Sequence, residues 1–389
     1  MKRIKTVALF LALTIVLGGC WGAVEINQLL IVMGMGVDKA DHGGYRLTLE
    51  AARAHVLADN GAGYDNGNNK AYVNLHEVGN SVSEAMSQLT LMASRKLYTQ
   101  QCELLVIGEE LAKEDIIPVL EYILRSEEGR MTMPLVIARG TAAELYDETT
   151  YLEPMPAIHI AEIAEKQKRV SDLPITSIFD FLQALLDDTR ECTAPLLETR
   201  MDQYGEPKAY FTGTAIFRDG QWIDEFTLSE SRGLLTIRNG IQGGRITLSG
   251  LGGIIDLLVR NCETYIVPKY EKGLFSVEIY ISESFTILNA DTVHSVHEPE
   301  NIRKIEELAR EHELRQMTDA VTKAQILGTD VFGFGEVLRA RYPKAFHAIQ
   351  GQWPEFFRNL PVSYHIQVSV TSTGASLQPV TLRKEDRQQ

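Results

Sequence analysis

The chain has 389 residues, a formal net charge of −14 and an apolar content of 44%. These values are typical of a folded globular protein with two or three domains. The acidic balance argues against nucleic acid as a partner, because negative charge repels the phosphate backbone. An anionic bilayer is not attracted by such a surface either, so membrane attachment requires a lipid group or a partner protein.

The first 20 residues have the order of a secretory lipoprotein signal. Lys2, Arg3 and Lys5 are followed by an apolar run at 6–17 and then by Leu17-Gly18-Gly19-Cys20. Basic charge, an apolar core and small residues before a cleavage site are typical of a signal peptide. The cysteine predicts cleavage before Cys20 and lipid attachment to its thiol. The alternative is a buried amino-terminal helix with a chance cysteine.

Removal of the predicted signal peptide, residues 1–19, would leave 370 residues with a formal charge of −17. Three cysteines would then remain besides the lipidated one: Cys102, Cys192 and Cys262. Three cysteines allow at most one disulfide, so the chain is not a disulfide scaffold. We expect all three to be buried free thiols that pack as small apolar side chains.

After a lipidated tether at 20–28, the pattern predicts an amino-terminal α+β domain at 29–193. It opens with a hairpin of two strands, 29–37 and 45–51, the second of which alternates apolar and polar residues. A Gly- and Asn-rich loop at 58–70 follows. The further predicted elements are a helix that begins at Ser81, strands at 102–107 and 134–138, and helices at 115–125, 140–146, 157–170 and 177–186.

Two more domains and a polar tail at 374–389 are predicted. A strand-rich middle domain at 194–270 contains a hairpin, 210–217 and 222–228, and a carboxy-terminal domain at 271–373 has the order β-α-α-β. The predicted carboxy-terminal elements are strands at 274–281 and 362–370 and helices at 299–325 and 331–349. The expected fold class is therefore α+β, with three mixed domains that each have a small sheet and packed helices.

No catalytic motif is recognisable in the sequence, so we expect no enzymatic activity and no cofactor. Ser249-Gly250-Leu251-Gly252-Gly253 lacks the Lys-Ser/Thr of a phosphate loop and predicts a turn. His294-x-x-His297-Glu298 is the nearest approach to a metal cluster, but it has no identifiable third ligand. Glu109-Glu110 is expected at the start of a helix, where carboxylates favour the dipole. The charged run 125–130 predicts a solvated helix end, or otherwise a contact with a partner or another domain.

Short motifs in a fixed order carry a family resemblance over nearly the whole mature chain. They are Gly19-Cys20-Trp21, Glu25-Ile26-Asn27, Val37-Asp38-Lys39, Ser94-Arg95-Lys96-Leu97, 106–112, 125–130, Gly213-Thr214-Ala215-Ile216-Phe217, Glu230-Ser231-Arg232-Gly233, Asp330-Val331-Phe332-Gly333-Phe334-Gly335, Trp353 and 362–370. The chain thereby resembles the Ger(x)C family, the lipoprotein C subunits of bacterial spore germinant receptors. It departs from the family pattern at Gly22-Ala23, where charged residues are usual, and at Ser231, where threonine is common.

The resemblance implies a non-enzymatic, lipid-anchored subunit on the outer face of the spore inner membrane. It implies assembly with two polytopic membrane subunits, of A and B type, into a receptor that triggers germination in response to nutrients. It also implies that the small-molecule germinant is bound mainly by those partners.

Two other functions were weighed against this one. A lipoprotein solute-binding component of a transporter would favour two similar lobes around a cleft, whereas the predicted regions differ from one another. A secreted hydrolase would need a nucleophile or an acid and base pair, and the sequence offers no convincing one.

Overall fold

The computed structural model describes residues 25–53, 70–147, 150 and 152–372. The predicted signal peptide, Cys20, the loop up to residue 69 and the polar tail therefore lie outside the described residues. The strands are β1 (Leu29–Lys39), β2 (Tyr45–Ala52), β3 (Tyr72–Gly79), β4 (Lys96–Tyr98), β5 (Leu104–Ile107), β6 (Leu135–Ala138), β7 (Thr193–Met201), β8 (Pro207–Arg218), β9 (Gln221–Thr227), β10 (Arg245–Gly250), β11 (Gly253–Glu271), β12 (Leu274–Asp291) and β13 (Val362–Ser372).

The helices lie between these strands, and a short 3-10 helix at Ile26–Gln28 precedes β1. They are α1 (Val82–Met92), α2 (Glu109–Glu114), α3 (Ile117–Arg125), α4 (Ala142–Leu145), α5 (Pro156–Val170), α6 (Ile178–Leu185), α7 (Leu228–Ile237), α8 (Pro299–Leu327), α9 (Phe334–Arg341), α10 (Pro343–His347) and α11 (Trp353–Arg358), with a second 3-10 turn at Gln350–Gln352.

The first sheet has the strand order β3-β2-β1-β5-β6-β7-β8-β9, and β4 pairs with β1 beside this path. β1, β5, β6 and β7 run parallel to one another, whereas the hairpin partners β2 and β8 run antiparallel to them. Helices cover both faces, which is what buried, continuously apolar parallel strands require. One face packs on α1, α2, α3 and α6, and the other packs on α4 and α5.

The second sheet has the order β10-β11-β12-β13. β11 and β12 form a long antiparallel hairpin, and β13 returns parallel to β12. Alternate side chains along each strand point to the covered face. There the long helix α8 and the aromatic residues of α9 to α11 complete a core. This core also includes Ile216 and Phe226 of the first sheet, so the apolar packing is continuous between the two sheets.

The α+β class is confirmed, with one difference in how the strands are grouped. The strands described here form two sheets, because β7 pairs with β6 and so brings the predicted middle hairpin into the first sheet. Cross-strand pairing also lengthens β11 and β12 well beyond the strands predicted at 264–268 and 274–281. The domain boundaries at 193/194 and 270/271 stay predictions.

One local prediction needs correction, and several elements are not predicted by the sequence pattern. The helix predicted at 331–349 is divided into α9 and α10, because Pro343 has no backbone N–H to continue the first helix. β3 and α7 were not predicted at all. α7 follows directly on β9, where Thr227 and Glu230 form a capping box that fixes the helix start.

Candidate functional site

The acidic residue of the Val37-Asp38-Lys39 motif joins α4 to the first sheet. Asp38 lies near the end of β1, is 3% exposed, and accepts hydrogen bonds from the backbone N–H groups of Ala142 (2.7 Å) and Ala143 (3.2 Å). Burial raises the pKa of Asp38, and the two N–H donors oppose that rise. A carboxylate at a helix start satisfies amides that have no partner inside the helix. The motif residue is thus a structural joint.

Gly34 and Gly36 of β1 allow a second close contact on this face. A Cβ on Gly34 would lie 2.5 Å from the Tyr146 ring, so only a residue without a side chain allows this approach. The Tyr146 hydroxyl then donates a hydrogen bond of 2.9 Å to the carbonyl oxygen of Met35. The segment after α4 is therefore held on β1 by contact and by hydrogen bond.

The Glu230-Ser231-Arg232-Gly233 motif lies on α7, and each residue has a different task. Glu230 completes the cap of the helix, while Ser231 accepts a hydrogen bond of 2.8 Å from Thr214 of β8. Gly233 faces α8 so closely that an added Cβ would lie 2.3 Å from the carbonyl oxygen of Gln316. α7 is therefore fixed to the first sheet by one side and to α8 by the other.

Arg232 of the same motif belongs to a buried group of charged residues where α7, β12 and α8 meet. We call this group the acidic cluster: Arg232, Glu283 and Glu313. The three residues are 4%, 2% and 0% exposed. The Arg232 Nε lies 3.9 Å from a Glu313 carboxylate oxygen, and the guanidinium also donates to the carbonyl oxygen of Ser171 (3.1 Å). Neither carboxylate of the acidic cluster has a hydrogen-bond partner within the described residues.

The electrostatics of the acidic cluster favour protonated carboxyl groups. Burial raises the pKa of Glu283 well above its ordinary value, and the neighbouring Glu313 charge raises it further. Burial also raises the pKa of Glu313, while Arg232 opposes both shifts. Like charges that share a dry site cannot both ionise at low cost, so the pair favours a state that holds a proton.

The motif that begins at Asp330 forms a tight loop before α9, which we call the Asp330 loop (residues 330–335). The Asp330 carboxylate accepts hydrogen bonds from the backbone N–H groups of Phe332, Gly333, Phe334 and Gly335 at 2.7–3.1 Å. It also accepts one from the indole N–H of Trp353 (3.2 Å). Burial raises the pKa of Asp330 to about 6, and these donors limit the rise.

A cleft of about 660 Å³ lies beside the Asp330 loop, between the first sheet and the segment that precedes α11. Acidic and basic side chains line it, among them Asp188, Glu191, Arg218 and His347. Arg218 lies 3.8 Å from Glu191, and burial raises the pKa of Glu191 to about 7. The cleft is mixed in charge and has few apolar walls, unlike the mostly apolar pockets that hold small organic ligands.

The other residues singled out in the sequence have structural surroundings. Cys102, Cys192 and Cys262 are buried and free, as expected, and burial raises the pKa of the Cys102 and Cys192 thiols to about 12. Glu109 begins α2 as predicted, and Lys113 holds the pKa of Glu109 below its ordinary value. Within the described ranges no group of three potential ligands is placed to hold a metal ion, and this includes His294, His297 and Glu298.

Cys20 lies outside the described residues, so its lipid attachment stays a prediction. Among the helices that the structure describes, none combines the length and the apolar character needed to cross a membrane.

Sequence comparisons place both halves of the chain in one family. Residues 22–199 match the family described as "Spore germination protein N-terminal domain", and residues 212–374 match "Spore germination B3/ GerAC like, C-terminal". Spore germination protein KC of Bacillus subtilis is 25% identical over 416 aligned positions, which cover 99% of this chain and all of the relative. Spore germination protein B3 of the same organism is 22% identical, with coverage of 96% and 99%.

A solved structure has the same fold. The crystal structure of the GerBC protein superposes with a TM-score of 0.57 and 18% sequence identity, over 87% of this chain and 97% of that one. With both halves matched in order and the motif residues at the joints of the fold, the chain belongs to the Ger(x)C family of spore germination proteins.

Proposed function

We propose that this chain is the lipid-anchored, non-enzymatic C subunit of a spore germinant receptor. The match to the germination family over both halves carries the proposal, and it supports a role as a receptor subunit. The subunit would sit on the outer face of the spore inner membrane, assemble with two polytopic subunits of A and B type, and help to trigger germination. The partners would bind most of the germinant.

The motif residues that the structure describes hold the elements of the subunit together. Asp38 and Asp330 accept backbone hydrogen bonds, and Ser231 and Gly233 fix α7 between β8 and α8. These residues maintain the shape of the subunit. A function through contacts with other proteins depends on such a fixed shape.

Co-purification from spore membranes tests the assembly. We expect a tagged form of this chain to bring down two polytopic proteins at a fixed ratio after detergent extraction. Recovery of the chain as a lone soluble protein that binds a nutrient with measurable affinity would instead favour a solute-binding protein.

Substitution of the lipidated residue tests the anchor. We expect Cys20→Ala to abolish incorporation of labelled fatty acid and to release the protein from the membrane, since two acyl chains provide stable anchoring where one is marginal. The control variant Cys102→Ala, which changes a buried thiol, should keep the label. Loss of the label with unchanged membrane retention would show that the acyl chains are not required to hold the subunit on the membrane.

A further inference from the structure

The end of the first sheet at which β1 begins is next in sequence to the proposed anchor. β1 begins at Leu29, and β4 pairs with its first residues, so that Lys96 lies beside Leu29. α1 ends four residues before Lys96, at Met92. α3 ends at Arg125, and Glu128 just beyond it lies 3.8 Å from the Lys96 ammonium group. We call the surface formed by 26–31, 91–98 and 124–128 the anchor edge.

Large apolar side chains are exposed on the anchor edge. Ile26 is 75% exposed, Leu91 82%, Met92 52% and Leu124 57%. They come from three separate segments, the 3-10 helix before β1 and the ends of α1 and α3, and α1 packs on α3. Single exposed apolar residues are ordinary, whereas several at one edge indicate a contact surface.

The length of chain between the anchor and the fold determines what can cover this edge. Five peptide units separate Cys20 from Glu25, the first described residue. Even a fully extended chain of that length spans at most about 18 Å. If Cys20 carries acyl chains, Glu25 and the adjoining start of the anchor edge must stay within about that distance of the lipid headgroups.

The charges on the anchor edge nearly balance. The basic residues Arg95, Lys96 and Arg125 are exposed. Lys96 and Arg125 each have an acidic neighbour, Glu128 at 3.8 Å and Glu121 at 3.9 Å. Attraction to anionic lipid is therefore weak, and the exposed apolar groups are the main source of any contact.

We infer that the anchor edge lies against the lipid bilayer, with Ile26, Leu91, Met92 and Leu124 inserted at the boundary between headgroups and acyl chains. The inference rests on the proposed anchor at Cys20. The contact fixes the orientation of the subunit, because a surface held on the membrane at three points cannot turn freely about the anchor.

Spin labels in the full mature chain test the contact. Single labels are introduced by Leu91→Cys, Met92→Cys and Leu124→Cys, and Val78→Cys is the matched control. Val78 of β3 pairs with Arg46 of β2, which in turn pairs with Asp38 of β1. Val78 therefore lies about 30 Å along the strand direction from Leu29. The native thiols besides Cys20 are buried and do not compete for the label.

The acylated protein is reconstituted alone into phosphatidylcholine vesicles, with and without phosphatidylglycerol. We expect labels at the three edge positions to collide mainly with oxygen, which concentrates in the acyl region, and the label at Val78 to collide mainly with a water-soluble nickel complex. Both vesicle types should give the same result. Dependence on phosphatidylglycerol would contradict the apolar contact.

Mass spectrometry of the amino terminus separates failure of the anchor from failure of the inference. If Cys20 is acylated but all four labels collide mainly with the nickel complex, the anchor stands and the bilayer contact is wrong. If the edge labels become protected only when two polytopic subunits are added, the surface binds protein, and the bilayer assignment is again overturned.

Discussion

The Asp330 loop and the acidic cluster both bury carboxyl groups in the same half of the protein, yet they are built in opposite ways. Asp330 accepts five hydrogen bonds, four of them from backbone amides. Glu283 and Glu313 accept none within the described residues. Burial alone therefore does not define what an acidic residue contributes. The number of donors directed at it decides whether the charged form or the protonated form is favoured.

Removal of the Asp330 carboxylate, which accepts five hydrogen bonds, should cause the largest loss of stability. We expect Asp330→Ala to lower the free energy of unfolding by about 3–5 kcal/mol, because four backbone N–H groups and the Trp353 indole lose their buried acceptor. Urea unfolding followed by circular dichroism measures this.

Asp319→Ala is the control, since Asp319 is an exposed acid on α8. It should change the free energy of unfolding by less than about 0.5 kcal/mol. An equally small effect of Asp330→Ala would mean that the loop keeps its shape without the carboxylate.

A methyl group added between α7 and α8 tests whether these two helices must pack closely beside the acidic cluster. Gly233→Ala places a Cβ 2.3 Å from the Gln316 carbonyl oxygen, so the two helices must separate. Overpacking costs about 1–3 kcal/mol, and the helix propensity of alanine returns up to about 1. We expect a net loss of about 1–2 kcal/mol in urea unfolding. Gly351→Ala, where an added Cβ has open space, should be neutral.

The smallest expected effect is a change in how the stability of the protein depends on pH. The pKa of Glu283 is raised in the folded protein, so its contribution to stability is present below the unfolded pKa, near 4.3, and is lost as the pH rises through the folded pKa. Glutamine cannot ionise. We therefore expect Glu283→Gln to gain stability relative to the parent chain as the pH is raised from about 5 through the folded pKa of Glu283.

The groups that surround Glu283 set the size of this effect. They are Glu313 of α8, Arg232 of α7 and Cys262 of β11. The exposed residue Glu263 provides the control variant, Glu263→Gln, which makes the same chemical change outside the buried acidic cluster. A difference between Glu283→Gln and the parent that stays constant across the same pH range would contradict the assignment of a raised pKa.

The sequence predicted elements whose signals are local. The β1–β2 hairpin, the long helix α8 and the turn at Leu251-Gly252 are confirmed, because alternation, helical spacing and glycine at a turn act over a few residues. The α7 helix was missed, since its apolar positions follow a strand without a break. The division after residue 341 depends on Pro343, and the Asp330 loop sets the start of α9 at Phe334.

The two carboxylates of the acidic cluster had no sequence signal, although Arg232 lies in a family motif. Glu283 and Glu313 are separated by 30 positions, and each occurs in a segment of otherwise ordinary polarity. Their meeting depends on α8 crossing the second sheet. Asp38 and Asp330, by contrast, were marked by the family motifs, although the amides that they bind became apparent only in the fold.

The pairing of β1 makes the amino-terminal end of the fold resistant to a pulling force. Its first residues pair with β4, and its remaining length is hydrogen-bonded to β2 on one side and to β5 on the other. A pull on the amino terminus acts along the strand, while these hydrogen bonds lie across it. Many bonds then share the load at once and do not open one after another. A force on the amino-terminal end of β1 is thus carried directly into the centre of the first sheet.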